Sequence, residues 1–197
     1  PNLAKEIMAG QPAASVVAIP DETIALELQR ILTRPNLRVY TNPDVVGCEV
    51  AGVVKNVIAI AAGMAEGMEF GDNTRATIIT RGLAEMSRLG GAMGGDPMTF
   101  AGLAGMGDLI ATCSSKQSRN NSVGLALGQG RTIDDILGSM NMVAEGVKSS
   151  PSVLDLAARH GVEMPITEQV VAVCHEGRSA REALAALMSR SSKSELE

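Results

Sequence analysis

Tryptophan is absent from this chain of 197 residues, and aromatic side chains are 2% of it, one Tyr and two Phe. That excludes the stacked-ring platforms on which single-stranded nucleic acids bind. Basic charge is scarce too: 17 Lys and Arg face 22 Asp and Glu, for a net charge of -5. No face is set up for a phosphate backbone, and no nucleic-acid partner is expected. Of cysteine there are three, Cys48, Cys113 and Cys174, none in a CxxC pair. This argues against a disulfide framework or zinc site and for a reducing cytoplasm. The two histidines, His160 and His175, lack ligand company, so no metal is expected. No basic-then-apolar leader opens the chain. The longest apolar run, residues 45–65, is interrupted by Glu49 and Lys55, and a soluble protein without membrane insertion is expected. The first residue is Pro1, not Met, and the sequence reads as part of a longer chain.

What is present is aliphatic and small. With 45% hydrophobic residues, the core must be built from Ala, Val, Ile, Leu and 11 Met, a mix that favours helix. Residues 1–43 have another texture. Residues 15–20 (SVVAIP) and 37–40 (LRVY) read as short strands. Between them, residues 21–32 (DETIALELQRIL) read as a helix with Asp21 at its N-cap and an apolar stripe at Ile24, Leu26, Leu28 and Ile31. One βαβ unit cannot bury both faces of its sheet, so it reads as the end of a larger α/β sheet. From residue 44 onward the pattern is helical: 45–63, 72–93 and a short helix from Asp96–Pro97. Thr132–Asp135 and Ser179–Glu182 have the capping-box pattern, the latter ahead of a stripe at Ala183, Leu184, Leu187 and Met188. Residues 189–197 are polar and expected to fray.

Three places could carry chemistry. Lys55 stands in the apolar run 45–65, with Asn56 beside it. An ammonium there must be paired, hydrated through a cleft or partly neutral, and a lysine so placed suits acid–base work. The plainer alternative is a lysine that carries its head to the surface along a core helix. Next, Gly102, Gly105 and Gly107 precede Asp108, which is placed either to cap a helix or to hold a lysine. Last, residues 114–121 (SSKQSRNN) crowd hydroxyls, amides and two cations at a helix start. That suits a phosphate, and equally a solvated polar loop. No glycine stretch matches GxGxxG, since Gly105 and Gly107 are followed by Ile110.

Together these segments resemble the bacterial NAD(P)-dependent glycerol-3-phosphate dehydrogenases. The matching stretches are PNLAKE (1–6), VYTNPD (39–44), VKNVIAIAAG (54–63), FGDNTR (70–75), TRGLAEM (80–86), TFAGLAGMGDL (99–109), TCSSKQSRN (112–120) and AEGVKS (144–149), in family order over nearly the whole chain. The fold implied is mainly α: an all-helical substrate and catalytic domain, 44–197, preceded by a residual βαβ piece, 1–43, of a Rossmann-type dinucleotide-binding domain. The activity implied is reduction of dihydroxyacetone phosphate to sn-glycerol 3-phosphate with NAD(P)H, feeding glycerophospholipid synthesis, by a cytoplasmic homodimer. The resemblance makes Lys55 the catalytic proton donor and acceptor, and Asp108 the acidic residue beside it. It makes Ser118, Arg119 and Asn120 the phosphate anchor. Asn2 falls where the family contacts substrate, and Ala4, Arg119, Val143 and Glu145 where it contacts cofactor. The implied cleft lies where the helical domain meets the dinucleotide domain.

The sequence departs from the family in lacking the glycine-rich first strand–turn–helix, an upstream lysine of the substrate site and the Gly that precedes Pro1. Residues 1–197 alone are therefore expected to bind NAD(P)H poorly and to turn over little. Two other readings stay open on the residues. One is a two-domain reductase of the 6-phosphogluconate or hydroxyacid dehydrogenase type, which also places a lysine on an interdomain helix. The other is a non-catalytic association module, using small residues such as Gly63 and Gly67 for close helix approach.

Overall fold

The structure, a computed structural model, describes residues 1–139, 144–191 and 194. After a short helix α1 (Ala4–Met8), strand β1 (Ala13–Ala18), helix α2 (Glu22–Leu32) and strand β2 (Leu37–Asn42) form the expected βαβ unit. The strands are parallel, in register from Ala13↔Leu37 to Ala18↔Asn42. β1 starts two residues earlier than the β-branched run suggests and ends before Pro20, which has no N–H for a ladder. Asp21 caps α2 by accepting the Ile24 N–H at 3.0 Å, and Gln29 donates to the Val39 carbonyl at 2.8 Å, tying α2 to β2. The α2 stripe is a partial correction. Ile24, Leu26 and Ile31 remain 45–50% exposed, because two strands offer too little surface to cover a helix face.

Pro43 and Asp44 mark the change of period. The Asp44 carboxylate accepts the Gly47 N–H at 2.8 Å and caps α3 (Val45–Gly67). It also accepts the Asp96 N–H at 2.8 Å, so one side chain fastens α3 to the start of α5 (Pro97–Ala101), beyond α4 (Asp72–Ala92). α3 is the axis of the molecule. Every residue from Val57 to Ala65 is buried, under α4, α6 (Asp108–Ser114), α7 (Arg119–Gly128), α9 (Glu145–Arg159) and α10 (Pro165–His175). Despite Glu49 and Lys55, α3 is long and apolar enough by length and composition to cross a membrane. Burial accounts for the composition of its second half, since a stretch covered all round, Val57 to Ala65, has no polar face to keep.

The most extensive helix packing among the described residues is α3 against α7, and there glycines meet the backbone of the facing helix. A β-carbon on Gly63 would stand 2.1 Å from the Asn121 carbonyl oxygen, and one on Gly124 would stand 2.0 Å from that of Ile60. The small residues that suit association between chains are thus used within this one.

The last helices close the bundle. Thr132 caps α8 (Ile133–Ser139) by accepting the Asp135 N–H at 3.2 Å, while its hydroxyl donates to the Asp135 carboxylate at 2.7 Å. The return bond of the expected box therefore goes to the hydroxyl. At α11 (Ala180–Met188) the box is complete between Ser179 and Glu182. In its stripe Ala183 is buried but Met188 is 78% exposed, because the bundle ends before the helix does. Of the polar tail, 192–193 and 195–197 lie outside the described residues.

Glu85 of α4 is 2% exposed and caps α10 from across the core. Its carboxylate accepts the Ile166 N–H at 2.6 Å, and the Thr167 N–H and hydroxyl at 3.2 and 3.1 Å. Burial pushes its pKa up from 4.5 to about 7, against the pull of those hydrogen bonds and of Arg88. Over that range the folded chain keeps a proton that the unfolded chain has lost. The contribution is therefore fully present below 4.5 and lost as pH rises through about 7. The slope is about 1.4 kcal/mol for each unit within the window. Glu85→Gln, which keeps an acceptor and does not titrate, should flatten the dependence of Tm on pH between those limits. Equal slopes in thermal melts of the two proteins would remove Glu85 as its source.

Candidate functional site

Lys55 lies on the α3 face that meets α6, and its ammonium donates to the Asp108 carboxylate. Both side chains are 20% exposed, so the pair is held in protein yet reachable from solvent. Of the three conditions open to a lysine in an apolar run, this one is paired. The local backbone explains why Asp108 is in reach. α6 does not begin at a capped end; a π-helical turn, Leu103–Gly107, runs straight into it, with the Gly107 N–H bonded to the Gly102 carbonyl at 3.1 Å. At its centre only glycine fits: a β-carbon on Gly105 would lie 2.2 Å from the Phe100 carbonyl oxygen. Asp108 is already helical, with φ -76 and ψ -30, and makes no capping bond, so its carboxylate goes to Lys55 instead. Thr112 steadies it by donating to the Asp108 carbonyl at 2.6 Å.

The 114–121 stretch does open a helix. Ser118 caps α7 by accepting the Asn121 N–H at 3.2 Å and is buried. Asn121 donates to the Cys113 carbonyl at 3.0 Å, joining α6 to α7. Asn120 is buried with both ends of its amide engaged: it donates to Asn56 at 3.0 Å and accepts the Gly146 N–H at 2.9 Å. Arg119 behaves differently. Its side chain is 43% exposed, and its guanidinium stands 3.7 Å from the Glu145 carboxylate on α9. Such an exposed pair is weak. Lys55 and Asn56 are adjacent midway along α3, and Asn120 and Arg119 are adjacent on α7, so the Asn56–Asn120 bond ties the start of α7, which carries Arg119, to the stretch of α3 that carries Lys55.

The other expected residues are placed as follows. Asn2 is exposed and donates to the Ser15 hydroxyl at 2.9 Å. A β-carbon on Gly107 would be 3.4 Å from the Pro1 ring, so the chain start lies beside the turn that aims Asp108. Ala4 opens α1 and is exposed, and Val143 lies outside the described residues. Beside the Lys55 face is a cleft of about 650 Å³ between β1 (Val16, Ala18), α3 (Gly52, Asn56) and α9 (Glu145, Ser149). On its α9 wall the Ser149 hydroxyl oxygen is buried with no hydrogen-bond partner among the described residues. From sequence Asn56 is noted only as the neighbour of Lys55 and Ser149 only within a matching stretch, and neither is given a role. For Asn56 a signal existed, an amide in an apolar run, since buried amides are hydrogen-bonded. Ser149 had none.

Cys113 and Cys174 are buried, whereas Cys48 is half-buried and lines the cleft. Burial pushes Cys113 and Cys174 up to about 12, and all three thiols are free. Among the described residues no cluster of His, Cys, Asp and Glu could hold a metal ion.

Comparison with known proteins gives this geometry its context. A family profile described as "NAD-dependent glycerol-3-phosphate dehydrogenase C-terminus" matches residues 44–185. The glycerol-3-phosphate dehydrogenase [NAD(P)+] of Streptomyces coelicolor is 60% identical over 195 residues, 99% of this chain and 58% of that protein. The one from Geobacter sulfurreducens is 56% identical with the same coverage. The crystal structure of glycerol-3-phosphate dehydrogenase from Coxiella burnetii superposes with a TM-score of 0.93 at 41% identity, covering 96% of this chain and 58% of that one. The chain thus spans 58% of the length of these curated relatives.

Proposed function

The chain belongs to the NAD-dependent glycerol-3-phosphate dehydrogenase family, and on that premise we propose that it carries the catalytic half of an enzyme reducing dihydroxyacetone phosphate to sn-glycerol 3-phosphate with NAD(P)H. The observation that carries the reading is the Lys55–Asp108 pair held midway along α3, where the Asn56–Asn120 bond ties in the start of α7 and with it Arg119. An acid and an anion-binding group in one place suit a phosphorylated ketone.

The residues present fit the nicotinamide cofactor. The cleft beside Lys55 has the volume of a small-molecule site. Its α9 wall offers Ser149, a buried hydroxyl in want of a partner, and Glu145. These two, with the β1 edge, would hold the cofactor on this side. When bound, it supplies the hydride for the carbonyl carbon.

The chain's own residues do the rest. As the carbonyl oxygen gains negative charge, the Lys55 ammonium stabilises it and then transfers a proton to it, leaving the alcohol. Asp108 orients that ammonium and receives its hydrogen bond. The phosphate, away from the reacting carbon, is held by Arg119 and by the first-turn N–H groups of α7. The Ser118 and Asn120 side chains act behind it, one shaping the helix start and the other reaching α9.

The test uses substrate with and without its phosphate. The full-length enzyme should oxidise NAD(P)H with dihydroxyacetone phosphate and far less well with dihydroxyacetone. Arg119→Ala should raise KM for the phosphorylated ketone about 10- to 100-fold, the loss of a charge-assisted hydrogen bond, with a smaller change in kcat. It should leave the dihydroxyacetone rate alone. Equal effects on both ketones would contradict the assignment.

A further inference from the structure

Asn56 stands beside Lys55 and the reaction above gives it no part. Its amide is nevertheless engaged at both ends. Its Nδ2 donates to the Gly52 carbonyl of its own helix at 3.2 Å, and its Oδ1 accepts from Asn120 at 3.0 Å. The polarity of this chain of bonds is forced. The Gly146 N–H can only donate, so Asn120 must turn its oxygen to it and its NH₂ to Asn56, and Asn56 must then present oxygen. Gly146 is in the first turn of α9, whose N-cap, Ala144, has no side-chain oxygen to offer. Asn120 is therefore the cap of α9, supplied from α7. Contact at the same point is backbone to backbone: a β-carbon on Gly146 would lie 2.6 Å from the Asn56 carbonyl oxygen.

We propose that Asn56 is a positioning residue that acts through Asn120 to hold the first turn of α9, and with it Glu145 and Ser149 on the cleft wall, in register with Lys55. The kinetic half of this inference rests on the reductase reading; the structural half does not.

Two measurements on the full-length protein test it. Hydrogen–deuterium exchange of the peptide covering the first turn of α9 should speed up about tenfold or more in Asn56→Ala, the effect of losing one buried hydrogen bond. Exchange should return toward wild type in Asn56→Asp, which keeps the acceptor for Asn120. In steady-state kinetics, Asn56→Ala should raise KM for NAD(P)H about tenfold while kcat falls much less. Unchanged exchange in Asn56→Ala, or no recovery in Asn56→Asp, overturns the inference whether or not the protein is a reductase. So does a collapse of kcat with KM for NAD(P)H unmoved, which would put Asn56 on the reacting atoms. A protein without reductase activity, but with the exchange pattern expected, overturns the kinetic half and the reductase reading and leaves the α9 clamp standing.

Discussion

Lys55→Ala in the full-length enzyme is expected to reduce kcat by about 10⁴-fold while NAD(P)H binds within a few-fold of wild type. A positioned acid contributes about 10²–10⁴ in rate. A donor aimed at a developing oxyanion, when removed, costs about 10²–10³. One ammonium serves both purposes here, so the two losses overlap and do not multiply in full. The cofactor should be spared because Lys55 faces α6 and Asp108, and the residues lining the cleft come from the adjacent strip of α3. Asp108→Asn, which keeps an acceptor but drops the charge, should fall between the two. The measurements are kcat and a fluorescence titration of cofactor; a kcat within tenfold of wild type would remove Lys55 from the reaction.

The second large effect is on stability, and its sign is opposite to the usual one. Gly→Ala in an exposed helix interior stabilises by up to about 1 kcal/mol. Gly91, in the last turn of α4, is exposed with nothing within 4 Å of a new β-carbon, so at most part of that gain applies there. At Gly124 the added carbon would meet the Ile60 carbonyl at 2.0 Å, and backbone cannot step aside as a side-chain tip can. The α3–α7 crossing must open, and overpacking of this kind costs about 1–3 kcal/mol or more. Gly124→Ala should therefore lower Tm by roughly 5–10 °C, taking about 2–4 °C per kcal/mol for a chain of this size. Gly91→Ala should leave it level or slightly raised. Because α7 carries Arg119, a loosened crossing should also weaken binding of the phosphorylated ketone. A Gly124→Ala protein as stable as the parent would mean that the two helices do not approach as described.

Much of the site could be read from residue types. A lone lysine in a run of Val, Ile and Ala cannot go unaccounted for, and an aspartate after three closely spaced glycines is an obvious candidate to meet it. Which of Asp108's two prospects is realised could not be read. A plain helix start would have turned its carboxylate onto backbone N–H groups; the π-helical turn carries the helix through and directs it at Lys55. Asn120 shows the same limit. In sequence it completes a Ser–Arg–Asn triplet of polar groups at a helix start, whereas in the fold its side chain is buried between α3 and α9 and only Arg119 reaches outward. Glu85 is not picked out either: on α4 it stands between Ala84 and Met86, and its burial depends on where α10 arrives.

Sequence by itself determined the βαβ start, the helical remainder, the capped helix ends at Asp21, Thr132 and Ser179, and the presence of one amine in an apolar helix. These are matters of period, propensity and local hydrogen bonding, which act over a few residues. Tertiary structure alone decided which carboxylate that amine meets, that Gly63 faces Gly124's helix and not another chain, and that an amide relay joins three helices behind the site. Each of these depends on atoms dozens of residues apart being brought within about 3 Å, the range at which a hydrogen bond forms, and only packing of the whole bundle sets such distances.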